Sequence, residues 1–315
     1  MSNPFARRLQ EVYPEMLITD VQTERSAQHY IVFTVNYSLV FRFARDKAGA
    51  KALQVEAREL LPAISQAVHI RIPVVMMESL EHLEPGFAFI GYKRIEGEPL
   101  WPNTLEALAG TEAEERAAAA IAGFLRELHT VRLPQDAPES EDGDDRDADN
   151  CEEPYGTGNR NDAAHLPAKR LRKRVHQELF PLMNENKQKF AEKDLAALVE
   201  LTEAEPTDRT LIHGAFGPAH IIWDDENEEI AGVIGFGSTR AGDPAIDLAG
   251  VLIGYGPGFF AKVLTLYGIN DELEQRSRLY ACLMPLREAL HGLDEGDDEI
   301  LAYGLEMYAE ERTGQ

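Results

Sequence analysis

The sequence predicts an α+β protein with two lobes: a small antiparallel sheet with one helix, followed by a larger and mainly helical lobe. Short runs of β-branched and aromatic residues, separated by turn signals, predominate before residue 96. Beyond that point most apolar residues recur at helical spacing, apart from one hairpin over residues 211–237. A chain of 315 residues is long enough to bury a core in each part. We therefore predict lobes over residues 1–95 and 96–315.

The composition indicates a globular protein with a strongly acidic surface. Hydrophobic residues make up 44% of the chain, and the formal net charge is −24. This acidity disfavours nucleic acids, because phosphate contacts need clustered basic residues, and it favours cationic ligands. No apolar run approaches the roughly eighteen residues of a membrane span, and the two cysteines have no metal or redox spacing. We expect a cytoplasmic protein that binds neither nucleic acid nor membrane, and the sequence leaves its oligomeric state open.

A helix and two strands begin the small lobe. The spacing of apolar residues predicts a short helix over residues 5–16. Residues 30–35 and 38–43 are rich in β-branched and aromatic side chains, and Asn36 and Tyr37 between them are predicted to form a turn. The two runs should therefore pair as a hairpin.

One helix and one further strand complete the small lobe. Residues 51–64 form a predicted amphipathic helix, whose apolar face carries Leu53, Ala57, Leu60, Leu61 and Ile64. Residues 87–95 form a predicted buried strand that leaves the lobe. Glycine and proline within residues 96–99 then predict a break between the lobes.

The larger lobe begins with a predicted helix over residues 111–129, in which Thr111 and Glu114 have the spacing of a capping box. Residues 134–162 are acidic and nearly free of apolar side chains, so they cannot bury enough surface to offset their ordering entropy. We expect a flexible surface insertion there. A basic helix over residues 169–184 should follow it.

Further helices and the one hairpin complete the larger lobe. Apolar periodicity predicts helices over residues 193–202, 259–267, 279–290 and 300–308. The hairpin instead consists of two β-rich runs, each beside a tight loop, with a polar turn over residues 224–229 between them. Two loops would thereby lie side by side on rigid strands, which is a common way to position reacting groups.

The hairpin and the residues after it resemble the catalytic core of the aminoglycoside phosphotransferase family, which has the protein-kinase fold. The family pattern is His-Gly-Asp-x-x-x-x-Asn, a hairpin, Ile-Asp-Phe or Ile-Asp-Trp, and then Gly-Asp-Pro-x-x-Asp-Leu-Ala. This chain has His213 and Gly214 at the start of the pattern and the complete last element at residues 242–249. The resemblance implies a two-lobed kinase-like fold and transfer of phosphate from ATP, with Mg²⁺, to a small-molecule hydroxyl.

Three positions depart from the family pattern. Ala215 replaces the catalytic Asp, His220 replaces the metal-binding Asn, and Gly235 replaces the metal-binding Asp. Alanine cannot accept the proton of an attacking hydroxyl. Mg²⁺ prefers oxygen ligands, whereas Gly235 has no side chain and the nitrogen of His220 is better matched to zinc. We therefore predict no metal site and, at most, weak ATP binding.

Other family positions are retained. The resemblance gives His213, Asp243 and Asp247 mainly structural roles, and it implies that His213 and Asp247 brace the catalytic loop. It gives a structural role also to His129, which ends the predicted helix in the family's Leu-x-x-Leu-His pattern.

The resemblance also places nucleotide-binding groups in the small lobe and at its exit. Arg42 takes the place of the basic residue that holds the nucleotide phosphates, and Glu56 takes that of the acid that pairs with it. Backbone groups near Arg94 and Ile95 would bind adenine. Residues 21–29 would form the loop over the phosphates, but they contain no glycine, which hinders a close approach of the backbone.

Two functions are open at this stage. The substitutions predict a catalytically silent or strongly impaired relative that binds a small molecule or a protein partner. The acidic side chains of Glu288 and of residues 294–299 would suit a cationic small molecule. The alternative is an ATP-dependent kinase of an antibiotic or another small molecule, with residual activity, or an inactivated variant of an active kinase.

Overall fold

A five-stranded antiparallel sheet forms the small lobe in the computed structural model, which describes residues 3–26, 30–132, 166–204, 210–268 and 270–313. The strand order is β1-β2-β3-β5-β4, for β1 (Val21–Ser26), β2 (Tyr30–Val35), β3 (Leu39–Ala44), β4 (Val75–Ser79) and β5 (Phe89–Lys93). The predicted acidic insertion at residues 134–162 lies outside the described residues.

Strand β1 corrects the prediction that residues 21–29 form a loop. Val21–Ser26 pairs antiparallel with β2. Its polar sequence lacks the alternation of a strand, because an edge strand is held by backbone pairing on one side and needs few buried side chains. Residues 27–29, between β1 and β2, lie outside the described residues. The first glycine of the chain is Gly49, so this whole region is without glycine.

The predicted turn between β2 and β3 is confirmed. Asn36 and Tyr37 both have positive φ, at 51° and 59°, as the two central residues of a type I′ turn do. The strand register pairs Val35 with Leu39 across residues 36–38. The Oδ1 atom of Asn36 accepts from the backbone N–H of Thr19 at 2.8 Å and from that of Asp20 at 3.2 Å. The turn is thereby attached to the chain that leads into β1.

Helix α1 (Pro4–Val12) covers one face of the sheet. Asn3 caps it by accepting from backbone N–H groups of the first turn. The helix ends earlier than predicted because Pro14 disfavours the helical conformation of Tyr13 before it. Leu9 packs with the apolar residues of this sheet face, which are Phe33, Val35, Phe41, Phe43 and Phe89.

One continuous helical segment covers the other face of the sheet. It consists of α2 (Lys47–Val55), a π-helical turn (Glu56–Leu60) and α3 (Leu61–Ala67). The segment is longer at both ends than the predicted 51–64. At its start, Asp46 caps the helix by accepting from a backbone N–H of the first turn at 2.7 Å.

Helices build most of the larger lobe. They are α4 (Pro102–Ala107), α5 (Glu112–Leu128), α6 (Ala168–Arg174), α7 (Glu185–Ala204), α8 (Ala245–Tyr267), α9 (Asp271–Glu295) and α10 (Asp298–Thr313). Their buried side chains form one cluster, which also contains Leu60, Leu61 and Ile64 from the helical segment of the small lobe. The two lobes therefore share part of their core.

Every helix predicted in the larger lobe is present, but most of these helices are longer than predicted. In α5, Thr111 caps the helix by accepting from the N–H of Glu114 at 3.3 Å, but the Glu114 carboxylate accepts from Gly110 at 2.7 Å instead of completing the predicted capping box. The predicted basic helix is α6, a π-helical turn and a 3₁₀ turn in succession. Helix α7 extends beyond both ends of the predicted 193–202, and the last three predicted helices lie inside α8, α9 and α10.

Helix α8 differs most from the prediction. In the described part of the chain it is the one helix that is long and apolar enough to meet the criteria of a membrane span, with 23 residues and a mean hydropathy of 1.4. It is interrupted at Gly256, where φ is 75° and ψ is 173°, and Pro257 follows. Neither half reaches the roughly 20 residues of a span. Both halves belong to a helix that packs against α5 and α9.

Two small sheets carry the predicted hairpin. One contains β6 (Glu98–Pro99), β8 (Ile221–Asp224) and β9 (Glu229–Val233), and the other contains β7 (Thr210–Ile212) and β10 (Arg240–Gly242). In the turn of the β8–β9 hairpin, the Asp224 carboxylate accepts from the N–H groups of Glu226 at 3.0 Å and Asn227 at 3.1 Å. The predicted polar turn is confirmed.

Candidate active site

Two loops lie side by side at the ends of the small sheets. The first loop, residues 213–220, connects β7 to β8, and the second loop, residues 234–239, connects β9 to β10. Gly214 has a φ of 80°, and a Cβ atom there would lie 2.3 Å from the carbonyl oxygen of Ser238 in the second loop. Glycine is therefore needed for the two loops to touch at this point.

Helix α8 supports the first loop through two glycines. A Cβ atom on Gly250 would lie 1.8 Å from the carbonyl oxygen of Phe216, and one on Gly254 would lie 2.5 Å from Cδ of Pro218. Because both side chains are absent, the loop lies directly on the helix backbone.

Asp247, in the first turn of α8, braces the first loop. Its buried carboxylate accepts from the backbone N–H of His213 at 2.7 Å and of Gly214 at 2.8 Å, and from Nε2–H of His129 at 3.1 Å. Burial alone would raise the pKa of Asp247, but the hydrogen bond and charge of His129 and the contacts of His213 outweigh it and lower that pKa. This contact has the form that the resemblance implies.

His129 connects Asp247 to the far end of α8. Its Nδ1 atom lies 2.9 Å from the hydroxyl of Tyr267. Burial, with smaller contributions from the charges of Asp247 and Asp243, raises the pKa of Tyr267 to about 12. The side chain of His129 is buried, and its hydrogen bond positions the Asp247 carboxylate, which in turn binds the first loop.

His213 is buried and neutral. Its Nε2–H donates to the carbonyl of Ile234 at 2.9 Å, which joins the first loop to the second. Burial, followed by repulsion from His220, lowers the pKa of His213 to about 4. The backbone N–H of Ala215 points at Nδ1 of the same ring at 3.4 Å.

Asp243 is a second buried carboxylate, and its partners lie away from the loops. It accepts from Nε of Arg276 at 2.9 Å and from the backbone N–H of Ala245 at 3.0 Å. Burial raises the pKa of Asp243 even though Arg276 lies beside it. Asp243 therefore joins the start of α8 to α9.

The three departures from the family pattern lie together. Ala215 is exposed, and its carbonyl accepts from Nδ1–H of His220 at 2.7 Å. Gly235 has a φ of 87°, and a Cβ atom there would lie 2.2 Å from Cδ2 and 2.7 Å from Nε2 of His220. The imidazole of His220 therefore occupies the space into which a side chain at residue 235 would extend.

These residues do not fit the Mg²⁺ that the family implies. Mg²⁺ takes oxygen ligands in nearly octahedral geometry, but Gly235 offers no side-chain oxygen and the ring of His220 fills the space beside it. Across the described ranges, no group of three or more His, Cys, Asp or Glu side chains is arranged to hold a metal ion.

Arg42 of β3 and Glu56 of the π-helical turn form the ion pair that the sequence predicted. The distance from Nη1 to Oε1 is 2.5 Å, and both side chains are buried. Burial alone would lower the pKa of Arg42, but the charge of Glu56 outweighs it and raises that pKa, so Arg42 stays charged. The ring of Tyr30 lies 4.5 Å from the guanidinium carbon, in cation–π geometry.

Arg42 also reaches the second loop. A Cβ atom on Gly237 would lie 2.7 Å from Nη2 of Arg42 and 3.7 Å from the ring of Tyr30. In the larger lobe, Arg240 donates to the carbonyl of Ser238 at 3.0 Å. Tyr30, Gly237 and Arg240 were not predicted as site residues, because they come from separate segments and only the pair of glycines around Phe236 gave a local signal.

The predicted adenine-binding residues lie where the chain passes between the lobes. The backbone N–H of Arg94 donates to the carbonyl of Ser38 at 2.8 Å, so it is used within the sheet. The side chain of Ile95 contacts Gly232 of β9. A Cβ atom on Gly232 would lie 2.8 Å from Cδ1 of Ile95. A role for the backbone of residues 94–96 in binding adenine stays a prediction.

The acidic residues predicted to face a cation are partly used within the structure. Asp294 pairs with Arg174 at 2.6 Å. Asp297 caps α10 by accepting from the N–H of Glu299 at 3.0 Å. Glu288 is exposed on α9.

Comparisons with known proteins identify the family and the fold of this chain. Residues 18–285 match the phosphotransferase enzyme family. The chain is 28% identical over 289 residues to viomycin phosphotransferase of Streptomyces vinaceus, and the match covers 89% of each protein.

Two solved structures illustrate the similarity of fold. The GDP and kanamycin complex of APH(2")-IIia has a TM-score of 0.80 and 22% identity, with 99% of each chain covered. The macrolide 2'-phosphotransferase MphH from Brachybacterium faecium has a TM-score of 0.64 and 17% identity, with 95% of this chain and 96% of that chain covered. This chain has the kinase-like fold of the aminoglycoside phosphotransferases and belongs to the phosphotransferase enzyme family.

Proposed function

We propose that this phosphotransferase-family protein binds a ligand in the cleft between its lobes but transfers phosphate very slowly or not at all. The observation that carries the proposal is the contact between His220 and Gly235, at the position where the family pattern has its metal-binding residues. Ala215 adds a second deficit, because it cannot accept the proton of an attacking hydroxyl. The contacts of Asp247 with the first loop support a cleft that keeps its shape.

The expected loss of rate is large. Removing a general base typically costs about 10²- to 10⁴-fold in rate, which corresponds to about 3–5 kcal/mol of transition-state stabilisation. Losing the metal site costs more, since charge neutralisation by metal is a main contribution to phosphoryl transfer. The two effects act as a unit and do not simply multiply.

The ligand that we propose has two parts. A nucleotide would lie beside the Arg42–Glu56 pair, as the family fold implies, and a cationic small molecule would lie against the larger lobe. The net charge of −24 supports the second part. The names of the relatives, a viomycin phosphotransferase and a kanamycin complex, suggest antibiotics as the class to test first. A protein partner is the alternative ligand.

The second candidate function is phosphotransfer with residual activity. The retained residues of the family pattern, at positions 213, 214 and 242–249, favour it. An identity of 28% that extends over 89% of the viomycin phosphotransferase also favours it. An inactivated variant of an active kinase would retain the same residues.

Phosphate transfer by the wild type and by an Ala215→Asp, His220→Asn and Gly235→Asp triple variant distinguishes the two candidates. We expect no transfer from ATP or GTP to kanamycin or viomycin by the wild type, measured as nucleoside diphosphate released. The triple variant regains one base and two oxygen ligands, so it should bind ATP in a Mg²⁺-dependent manner and hydrolyse it at least slowly.

Two outcomes would count against the proposal. Transfer by the wild type at a rate comparable with that of the triple variant would establish the second candidate function. A folded triple variant that binds no nucleotide would mean that the cleft is not a nucleotide site, and the protein-partner alternative would then take precedence.

A further inference from the structure

Two side chains are positioned against residues 235–237 of the second loop, one from each lobe. The ring of His220 lies beside Gly235 and the guanidinium of Arg42 lies beside Gly237. A Cβ atom on either glycine would clash with these groups, at 2.2 Å and 2.7 Å respectively. This segment is therefore held between an imidazole of the larger lobe and a permanent cation of the small lobe.

The imidazole is held in one orientation. A carbonyl oxygen can only accept a hydrogen bond, so Nδ1 of His220 carries the proton of its 2.7 Å bond to Ala215. With Nδ1 directed at its own loop, the opposite edge of the ring faces residue 235. The atom nearest to the Cβ position at Gly235 is the carbon Cδ2, at 2.2 Å. The ring nitrogen Nε2 follows at 2.7 Å, but a single imidazole nitrogen does not replace the several oxygen ligands that Mg²⁺ takes.

The guanidinium of Arg42 is held just as firmly. Its Nη1 binds Glu56 at 2.5 Å, the ring of Tyr30 covers it at 4.5 Å, and its Nη2 lies at Gly237. An arginine does not lose its proton at any ordinary pH. It can therefore supply positive charge next to the second loop without a bound cation.

We propose that His220 fills the space of the family's metal-binding side chain at residue 235, and that the cleft takes the phosphates of a nucleotide without a divalent cation. Arg42 supplies the positive charge that the phosphates need. The inference rests on the proposed function, since it concerns the same cleft, but it adds a specific ligand state: the metal-free nucleotide.

The steric half of the proposal is tested by thermal unfolding of Gly235→Asp, His220→Asn and the double variant. Gly235→Asp alone should lower the melting temperature by about 5 °C or more, because its Cβ meets the ring of His220. His220→Asn alone should have a smaller effect. The double variant should melt above Gly235→Asp alone, because the smaller side chain at residue 220 removes the clash.

Gly86→Asp is the matched control for backbone strain. Gly86 has a φ of 76°, close to the 87° of Gly235, but a Cβ atom there would meet nothing within 4 Å. If Gly235→Asp costs no more than Gly86→Asp, or if His220→Asn does not relieve it, the ring does not block residue 235 and the proposal is wrong.

The ligand half is tested by calorimetric titration of ATP in EDTA and in excess MgCl₂. The wild type should bind ATP with dissociation constants that agree within about twofold, whereas the His220→Asn, Gly235→Asp double variant should bind at least about tenfold more tightly with Mg²⁺. Arg42→Ala should weaken binding at least about tenfold in both solutions, and Arg42→Lys should restore part of the loss. Arg278→Ala, which removes an exposed guanidinium on α9, should change neither constant.

Wild-type binding that requires Mg²⁺, or no ATP binding in either solution, would overturn the proposal. Its failure is separable from that of the proposed function, which is judged by turnover. A wild type that transfers phosphate while binding ATP equally well with and without Mg²⁺ would contradict the proposed function alone. An inert wild type whose ATP binding requires Mg²⁺ would contradict this inference alone.

Discussion

The residues at the site fall into two groups, those that position the loops and those at the family's reacting positions. Asp247 and His213 are buried, and both form hydrogen bonds to backbone groups of the two loops. Ala215 and Gly235, at the positions of the family's reacting groups, contribute no polar side-chain atom. Because the buried groups bind backbone, they keep the loops in place whatever side chain residue 215 carries.

His213 should make the stability of the protein depend on pH. Its pKa falls from 6.5 to about 4 on folding, so between these values the unfolded chain binds a proton that the folded chain does not. The free energy of unfolding should therefore decrease as the pH falls from about 6.5 to about 4, by up to about 3 kcal/mol. Urea denaturation at pH 7 and at pH 5 measures the effect.

The comparison that isolates His213 uses two variants. His213→Gln cannot titrate in this range, so its stability should change less between pH 7 and pH 5 than that of the wild type. His69→Gln removes an exposed histidine that pairs with Glu127, and it should behave like the wild type in this respect. Equal slopes for His213→Gln and the wild type would show that the buried ring is not the titrating group.

At the scale of elements, helix α8 and the first loop form one unit. The N-terminal part of α8 carries Asp247, which binds the loop, and Gly250 and Gly254, which let the loop lie on the helix. The helix then breaks at Gly256. The part that supports the loop is thus separated by a kink from the part that ends at Tyr267, beside His129.

Gly250→Ala should disturb this unit. The new methyl group would lie 1.8 Å from the carbonyl oxygen of Phe216, so the loop must move away from the helix. We expect a loss of about 2–4 kcal/mol in the free energy of unfolding, measured with urea, together with weaker binding of any ligand of the cleft. Gly258→Ala, in the same helix with no atom within 4 Å of the new Cβ, should be neutral or stabilising by up to about 1 kcal/mol. Similar losses of stability in both variants would show that the first loop does not depend on its contact with Gly250.

The elements that the sequence predicts well are those with local signals. The β8–β9 hairpin has two β-rich runs around a polar turn, and the Asn36-Tyr37 turn lies between two aromatic and β-branched runs. Strand β1 has no such signal, because its polar residues are held by pairing with β2. The predicted helix over residues 259–267 covers only the part of α8 that follows Gly256 and Pro257, and the part before this kink was not predicted.

The candidate site is predictable in its positions but not in its contacts. The resemblance locates Ala215, His220 and Gly235 from the motif alone. It cannot show that the ring of His220 fills the space beside Gly235, since this depends on how two loops are packed together. The contact of Arg42 with Gly237 is hidden for the same reason, because it joins a strand of one lobe to a loop of the other.

At the scale of the whole molecule, the predicted boundary at residue 95 separates the five-stranded sheet from the two small sheets, but one buried cluster extends across it. Leu60, Leu61 and Ile64 of the small lobe belong to the same buried cluster as the helices of the larger lobe. Arg42 adds a polar contact across the cleft. The lobes are therefore connected by burial as well as by the chain.

The shared core should make the two lobes unfold together. Differential scanning calorimetry should show one transition, with a calorimetric enthalpy close to the van't Hoff enthalpy. Separation of the lobes would expose the apolar side chains of α3 and α5 to water, which couples the stability of each lobe to that of the other. Two resolved transitions would show that residues 60–64 do not bind the lobes strongly enough to couple them.

The hydrogen bonds of Asp247 also bear on how genomes are interpreted. Its carboxylate accepts hydrogen bonds from the backbone N–H groups of His213 and Gly214, and these groups are present whatever the neighbouring side chain is. Selection for a chain that folds would therefore preserve the motif at residues 242–249 in a lineage that had given up phosphate transfer. In a newly sequenced protein, that motif indicates the fold. Evidence of catalysis has to come from residues 215, 220 and 235.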